Sequence, residues 1–306
     1  MSYKKTLIVV AGPTASGKSD LAIKLAQTFQ GEIICSDSMQ IYRNLNIGTS
    51  KPTKKEQKLI PHHLIDLIDP NENYSAGKYE RDASQIISEI HSRRHTPIIV
   101  GGSGLYFRAL MYGFSKIPKI PEIIKKKVVN LHIKHGTRYC WEKLEKLDKL
   151  SAKDLHPNDT SRILRSLQVF LATGYSIKKF QKDNPFLVAR YPCVAVAIEW
   201  ERNLLYERIN KRTLNMLKSG WINEVETLLK YYPKESTPFQ SIGYSEIIQH
   251  LSGKLELNQM IQKIQQRTRN YAKRQITWFR KESMIEWFQP GDVPKVFSRV
   301  KVFLEK

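Results

Sequence analysis

The sequence is poor in cysteine and in long apolar runs. Cys35, Cys140 and Cys193 are the only cysteines among 306 residues, and their spacing is not that of a metal site. This odd, scattered set excludes a disulfide scaffold and indicates reduced thiols in a reducing compartment. No apolar stretch reaches the length of a membrane span, and residues 1–5 lead into a strand pattern without a hydrophobic leader. We therefore expect a cytoplasmic protein with no membrane partner.

Acidic residues are scarce relative to basic ones. The chain has 50 Lys and Arg against 29 Asp and Glu, which gives a formal net charge of +21 and a pI near 9.8. A surplus of this size indicates a polyanionic partner such as a nucleic acid, although a generally basic surface would also produce it. Hydrophobic residues make up 41% of the chain, as in globular proteins, and 306 residues suit one elaborated domain or two smaller ones.

A complete phosphate-loop pattern, G-x-x-x-x-G-K-[ST], stands near the start of the chain. It comprises Gly12, Pro13, Thr14, Ala15, Ser16, Gly17, Lys18 and Ser19. An apolar run precedes it and a helical pattern follows, so its backbone N–H groups are expected to bind a di- or triphosphate at a helix N-terminus. Lys18 would reach the terminal phosphate and Ser19 a Mg²⁺ ion. Taken alone, the pattern is typical of ATP-binding proteins and does not identify the phosphate compound.

The order of apolar segments predicts an α/β fold. Strand candidates at 32–36, 63–68 and 97–100 follow the first apolar run, and a later one lies at 193–198. Helical patterns, notably at 19–29 and 76–93, separate most of them. This alternation predicts a parallel sheet flanked by helices on both faces, as in P-loop NTPases.

A change of composition predicts two parts in the chain. Residues 114–190 carry helical patterns, one of them after the N-cap candidate Asp159, and form the predicted helical insertion. Residues 1–113 and 191–306 form the predicted catalytic core. Its C-terminal part is expected to be helical, with long periodic stretches at 201–232 and 257–281.

Asp37 is the carboxylate that the predicted sheet places best. It directly follows the strand candidate at 32–36, so it should emerge at the carboxyl edge of the sheet, beside the phosphate loop. There it could hold Mg²⁺ or accept a proton from a nucleophile. The alternative is an Asp that only caps the following turn.

A basic stretch at 263–281 contains no acidic residue. On a helix, Arg267, Arg274 and Lys281 recur on one side, whereas Ile264, Tyr271 and Trp278 recur on another. A solvated helix with this much charge would normally alternate in sign. The pattern therefore favours a helix that packs on one face and contacts nucleic acid with the other.

Several blocks of the chain together resemble one enzyme family. They lie in order at residues 12–19, 36–42, 46–52, 61–66, 100–106, 156–159, 242–244 and 272–278. In order and spacing they are similar to the bacterial tRNA dimethylallyltransferases, also called tRNA isopentenyltransferases. Near Ile124 the chain departs from that family, many of whose members have an arginine there; whether Lys125–Lys127 replace it is open.

The resemblance implies an activity. A dimethylallyl group would pass from dimethylallyl diphosphate to N6 of the adenosine immediately 3′ of a tRNA anticodon, with release of diphosphate. The phosphate loop would then hold a prenyl diphosphate, and Arg212 and Lys18 would meet the diphosphate. Asp37 would act as the general base or as an orienting acceptor for the adenine amino group.

The resemblance also implies an RNA-binding set. Contacts to the anticodon stem-loop would come from Asp37, Ser38, Met39, Gln40, Ser103, Ser161, Arg162, Ile163, Leu164, Arg165, Lys273, Arg274 and Arg280. A monomer is expected. Two other readings stay open at this point: an adenine-nucleotide prenyltransferase, which needs no RNA clamp, and a P-loop small-molecule kinase, which leaves the basic helix unexplained.

Overall fold

The computed structural model describes residues 6–115, 117–182 and 188–305. The chain divides into two compact units, one made of residues 1–111 with 190–306 and the other of residues 112–189. The sequence prediction put these boundaries after residues 113 and 190. The prediction about residues 1–5 lies outside the described part.

The described residues form six strands: β1 Leu7–Ala11, β2 Gly31–Cys35, β3 His62–His63, β4 Thr96–Gly101, β5 Cys193–Ile198 and β6 Ile285–Phe288. The helices that precede β5 are α1 Lys18–Thr28, α2 Lys54–Leu59, α3 Ala76–Ser92, α4 Gly104–Tyr112, α5 Glu122–Leu147, α6 Lys149–Ala152, α7 Thr160–Thr173 and α8 Ile177–Lys182. Those that follow it are α9 Arg202–Lys218, α10 Trp221–Leu229, α11 Tyr244–Leu251, α12 Leu257–Phe279 and α13 Val293–Glu305, with short 3₁₀ turns at Thr237–Gln240 and Pro290–Asp292.

The strands form one parallel sheet in the order β3-β2-β4-β1-β5-β6. Strand β1 is central, with Val9 opposite Ile99 of β4 and Ala195 of β5. Every residue of β1 is buried, because Ile8 and Val10 pack in a core shared with α1 and α13 while the alternate residues face the other side. The predicted parallel sheet with flanking helices is confirmed.

Three details of the sequence prediction were wrong. The strand expected at 63–68 is only His62–His63, because Leu64 (φ 60°) and Asp66 (φ 51°) have left-handed backbone that ends the strand. The helical stretch at 201–232 consists of two helices, α9 and α10, because the left-handed backbone of Gly220 (φ 96°) interrupts it between them. Strand β6 was missed altogether; it is short and only partly buried.

The smaller unit contains α5 to α8 and has its own apolar core. Val128, Cys140 and Leu144 of α5 pack against Ile163 and Leu167 of α7. The predicted N-cap is confirmed, because the Asp159 carboxylate accepts a hydrogen bond from the backbone N–H of Arg162 at 3.3 Å.

No helix in the described ranges combines the length and apolar character that crossing a bilayer requires.

Candidate active site

The phosphate loop joins β1 to α1 through a left-handed backbone. Gly12 (φ 126°) and Gly17 (φ 89°) adopt it without steric cost, and Ala15 (φ 63°) adopts it as well. Lys18 and Ser19 lie in the first turn of α1, and no side chain caps this N-terminus. Its backbone N–H groups and the positive end of the helix dipole thus favour an anion here.

Side chains from distant segments fix the shape of this loop. Gln275 of α12 accepts a hydrogen bond from the Thr14 N–H at 2.9 Å. The Trp200 indole donates to the Ser16 carbonyl at 2.9 Å, and Arg208 of α9 donates to the Ala15 carbonyl at 2.8 Å. The Arg208 guanidinium also lies 4.1 Å from the centre of the Trp200 ring. Contacts from three other segments therefore determine the conformation of the loop.

Lys18 lies in a partly desolvated position within the loop. Its ammonium group donates a 3.0 Å hydrogen bond to the Pro13 carbonyl. Burial lowers the pKa of Lys18 to about 8, the Asp37 carboxylate opposes this change, and Arg212 adds to it. A bound anion would stabilise the charged form of Lys18, because its negative charge would replace the solvation that burial removes.

Asp37 follows β2 and lies at the same edge of the sheet as the phosphate loop. Its Oδ1 accepts hydrogen bonds from the backbone N–H groups of Met39 at 2.8 Å and Gln40 at 3.4 Å. This is the capping arrangement considered from the sequence, and it uses only one oxygen. The described residues donate no hydrogen bond to Oδ2, so the turn orients the carboxylate and leaves one oxygen for another partner.

Arg212 of α9 completes the charged cluster. Its Nη1 donates to the Thr14 hydroxyl at 2.7 Å, and its Nε and Nη2 donate to the Ser50 hydroxyl at 3.1 and 2.8 Å. Burial lowers the pKa of Arg212, and the Asp37 carboxylate opposes that change. Lys18, Asp37 and Arg212, three residues from three separate segments, thus lie near one another.

The loop after Asp37 is stabilised from within and from α10. The Gln40 amide donates to the carbonyls of Thr49 and Ser50 at 3.0 and 3.1 Å. The Glu224 carboxylate accepts three backbone N–H groups, those of Asn46 at 2.9 Å, Ile47 at 2.7 Å and Gly48 at 3.2 Å. It also accepts the Tyr244 hydroxyl at 2.7 Å.

A cleft of about 1250 Å³ opens between these groups. It is lined by the phosphate loop, Asp37 and Gln40, the segment at 43–57, and α9 with Arg208, Lys211 and Arg212. All of these belong to the larger unit. The cleft can hold an anion at the loop and a second group beside Asp37.

The residues predicted to contact RNA differ in accessibility. On α12, Lys273 and Arg274 are exposed, and Arg280 just after it is exposed but ion-paired with Glu199. Arg267, from the same basic stretch, pairs with Glu246, whose side chain is fully buried. Part of the basic stretch therefore forms ion pairs within the protein.

The predicted RNA contacts on α7 lie in the smaller unit. Ser161, Arg162 and Arg165 are exposed, and Arg162 pairs with Asp159 at 3.1 Å. Leu164 is half-buried and Ile163 is fully buried in the unit's core. Ile163 therefore offers only its backbone to a partner.

Sequence reasoning missed Arg208, Glu224 and Gln275. Each acts on a loop more than 170 residues away along the chain, as the bonds to Ala15, Asn46 and Thr14 show. No local spacing signals such a contact. Only Gln275 had an indirect signal, since it lies inside the block at 272–278 that carried the family resemblance.

Comparison with known proteins agrees with this geometry. A family model described as IPP transferase matches residues 40–282. The chain is 43% identical to the tRNA dimethylallyltransferase of Caldanaerobacter subterraneus subsp. tengcongensis, over 94% of this chain and 92% of that protein. It is 41% identical to the enzyme of the same name from Geobacter sulfurreducens, over 94% and 92% of the two chains.

Solved structures show the same similarity. The tRNA isopentenylpyrophosphate transferase of Bacillus halodurans superimposes with a TM-score of 0.74 at 34% identity, over 99% of this chain and 97% of that one. A eukaryotic dimethylallyltransferase acting on tRNA superimposes with a TM-score of 0.82 at 30% identity, over 94% of this chain and 74% of that one.

Proposed function

The chain belongs to the IPP transferase family, and on that premise we propose that it transfers a dimethylallyl group to tRNA. We propose further that dimethylallyl diphosphate is the donor and that N6 of the adenosine 3′ of the anticodon is the acceptor. One observation carries the proposal: Asp37 lies close to Lys18 of the phosphate loop and to Arg212 of α9, and its charge opposes the lowering of both their pKa values, with all three residues lining one cleft.

The chemistry requires a base on one side and an anion site on the other. An exocyclic adenine amine is a weak nucleophile because its lone pair is delocalised into the ring. The free oxygen of Asp37 can accept an N–H hydrogen as the C–N bond forms, which raises the electron density on nitrogen. The turn at Met39 and Gln40 holds the carboxylate in place while this happens.

The phosphate loop stabilises the leaving group. As the allylic C–O bond breaks, the diphosphate gathers negative charge. Contacts within the protein hold Lys18, Arg212 and the N–H groups at the start of α1, so they can stabilise that charge with little reorganisation. In the proposed reaction the loop therefore holds the leaving group of a prenyl diphosphate in place of ATP.

We also propose that Ser19 helps to hold Mg²⁺. Among the described residues, no group of three or more His, Cys, Asp or Glu side chains could hold a metal. The Ser19 side chain is exposed and lines the cleft. Because Mg²⁺ commonly takes one or two protein oxygens together with water and substrate phosphates, this donor set fits an ion bound along with the diphosphate. When bound, the ion would offset charge on the diphosphate.

We propose that exposed basic side chains bind the backbone of the RNA. Exposed Lys273 and Arg274 on α12, and Arg162 and Arg165 on α7, support phosphate contacts to an anticodon stem-loop. The Ser103 hydroxyl accepts a hydrogen bond from the Ser38 N–H at 3.2 Å and so lies beside the Asp37 turn, where the base would enter. We expect the protein to act as a monomer.

Mass spectrometry of unmodified tRNA incubated with the protein, Mg²⁺ and dimethylallyl diphosphate tests the proposal. We expect one dimethylallyl group on the adenosine 3′ of the anticodon. Asp37→Asn keeps the oxygen that caps the turn but removes the negative charge, and should lower the rate by roughly 10²–10⁴-fold.

Asp69→Asn is the matched control. Asp69 pairs with Arg43 at 3.4 Å on the surface, a contact that contributes little. A parallel reaction with AMP in place of tRNA tests the adenine-nucleotide alternative. No adduct on tRNA from folded protein, or an adduct on AMP alone, would overturn the proposal.

A further inference from the structure

Gln275 is a buried amide on a helix whose neighbouring positions are exposed and basic. It is 5% exposed, whereas Lys273 and Arg274 face solvent. Its Oε1 accepts the Thr14 N–H at 2.9 Å and its Nε2 donates to the Gly102 carbonyl at 2.9 Å. These partners are 261 and 173 residues away along the chain. One side chain therefore joins the phosphate loop to the turn after β4.

The turn after β4 is shaped to receive this amide. A Cβ at Gly102 would lie 2.0 Å from Nε2 of Gln275, which no real contact tolerates. Gly102 does not have a left-handed backbone, so space rather than conformation requires glycine here. The close approach lets the Gln275 amide reach the Gly102 carbonyl directly.

The same helix turn also reaches the Asp37 side of the cleft. The Tyr271 hydroxyl interacts with Gln275 and with Ser103, while burial raises the pKa of Tyr271 to about 12. Ser103 in turn accepts the Ser38 N–H at 3.2 Å, and Ser38 follows Asp37 directly. Neighbouring side chains thus run from Thr14, past α12, to the residue next to Asp37, with hydrogen bonds at the two ends of this series.

We propose that Gln275 is a positioning residue for the transfer reaction. It fixes the separation between the leaving-group site at the phosphate loop and the acceptor site at Asp37. The inference rests on the proposed function. Transfer requires the amine nitrogen to approach the allylic carbon in line with the departing oxygen, and misplacement of one site against the other lowers the rate more than it lowers binding.

Gln275→Met tests this role, because methionine has a similar length and shape but neither accepts nor donates as the amide does. We expect kcat to fall by roughly 10- to 100-fold. A residue that only positions the two sites should affect binding little. The KM values for tRNA and dimethylallyl diphosphate should therefore stay within roughly threefold of wild type, as should the Kd for inorganic diphosphate. Gln266→Met, at an exposed position of α12, is the control and should leave all these constants unchanged.

A double-mutant cycle tests whether the Gly102 contact acts through Gln275. Gly102→Ala alone should lower kcat, because its methyl group displaces the amide. In a Gln275→Ala background the same methyl group no longer meets the amide and is left only with the Gly12 carbonyl at 3.3 Å. Its cost should therefore be smaller there, and the two effects should be non-additive. Gly291→Ala is the control, since a Cβ there meets nothing within 4 Å.

The outcomes separate this inference from the proposed function. If wild type makes no adduct on tRNA, the proposed function fails. If wild type is active, wild-type kcat in Gln275→Met, a loss confined to KM, or additive effects in the cycle would each overturn the role of Gln275. Thermal unfolding of each variant identifies any that does not fold; the Gly102→Ala arm still decides the question if Gln275→Met is one of them.

Discussion

Arg212 is joined to Thr14 by a 2.7 Å hydrogen bond from its Nη1 to the threonine hydroxyl. The other side of the same guanidinium bonds Ser50, so α9 holds the phosphate loop and the segment after Asp37 together. Both partners are neutral hydroxyls. Among the residues that the structure describes, no carboxylate forms an ion pair with Arg212, so its positive charge is available to an anion in the cleft.

Arg212→Ala should lower kcat by roughly 10²–10³-fold, the usual cost of removing one preorganised donor from a developing anion. Arg212→Lys should recover part of this loss, because lysine keeps the charge but cannot bond Thr14 and Ser50 in one plane. Steady-state kinetics with saturating tRNA measure both effects. Lys218→Ala removes an exposed charge from the last turn of α9 and should be silent. Wild-type kcat in Arg212→Ala would remove Arg212 from the reaction.

Glu32 should make stability depend on pH. This buried carboxylate near the start of β2 bonds Arg93 at 2.8 and 3.0 Å, His63 at 2.7 Å and His95 at 2.8 Å. Burial would raise the pKa of Glu32, but these partners together lower it to about 2. Because the folded-state pKa lies below the unfolded value near 4.3, the stabilisation is complete above about pH 5 and is lost as pH falls toward the folded value.

Glu32→Gln should therefore lower the free energy of unfolding by about 3 kcal/mol near neutral pH, and the difference from wild type should shrink in acid. Urea unfolding across this pH range measures it. Glu235→Gln, at an exposed position, is the control. A difference that stays constant down to strongly acidic pH would contradict the assignment of this stabilisation to the Glu32 charge.

Glu224 should stabilise the loop at 46–48 that faces the cleft. Its two oxygens accept three backbone N–H groups and the Tyr244 hydroxyl. Glu224→Gln replaces one acceptor by a donor, so at least one of these groups loses its partner. We expect a loss of about 2 kcal/mol in the free energy of unfolding, typical of hydrogen bonds to a charged group.

The matched control for Glu224 is Glu226→Gln on the exposed side of the same helix α10. Urea unfolding of both variants gives the comparison. Equal stability in the two variants would mean that the loop does not depend on the Glu224 carboxylate.

The exposed basic face of α12 should account for part of the salt dependence of tRNA binding. Replacing Lys273 and Arg274 together by alanine should weaken binding and reduce the slope of log Kd against log salt by roughly 1.4–1.8, if each contacts one phosphate. Filter binding at several salt concentrations measures the slope. Lys230 and Lys234, also exposed, give a control double variant of equal charge. An unchanged slope in the α12 variant would move the RNA contact to another surface.

The fold could be predicted from the sequence where local pattern and burial agree. The apolar run before Gly12 and the run at 193–198 are central strands; the first is buried throughout and the second from Val194 to Ile198, as parallel strands covered on both faces require. The pattern was misleading at 63–68, where Leu64 and Asp66 take left-handed backbone that apolar content does not reveal. It also failed at β6, a short and half-exposed edge strand with weak periodicity.

The functional site, like the fold, could be predicted from the sequence only in part. The sequence by itself determined the phosphate loop and placed Asp37 after a strand. The glycines and lysine of the loop, and the apolar run just before Asp37, are each features of a short stretch of chain. The family resemblance had also pointed to Arg212, but only the tertiary structure showed its bonds to Thr14 and Ser50. Only the tertiary structure, likewise, added Glu224 on the loop at 46–48 and Gln275 between Thr14 and Gly102. The reason is physical, since a hydrogen bond depends on distance and direction in space, and these partners lie more than 160 residues apart along the chain.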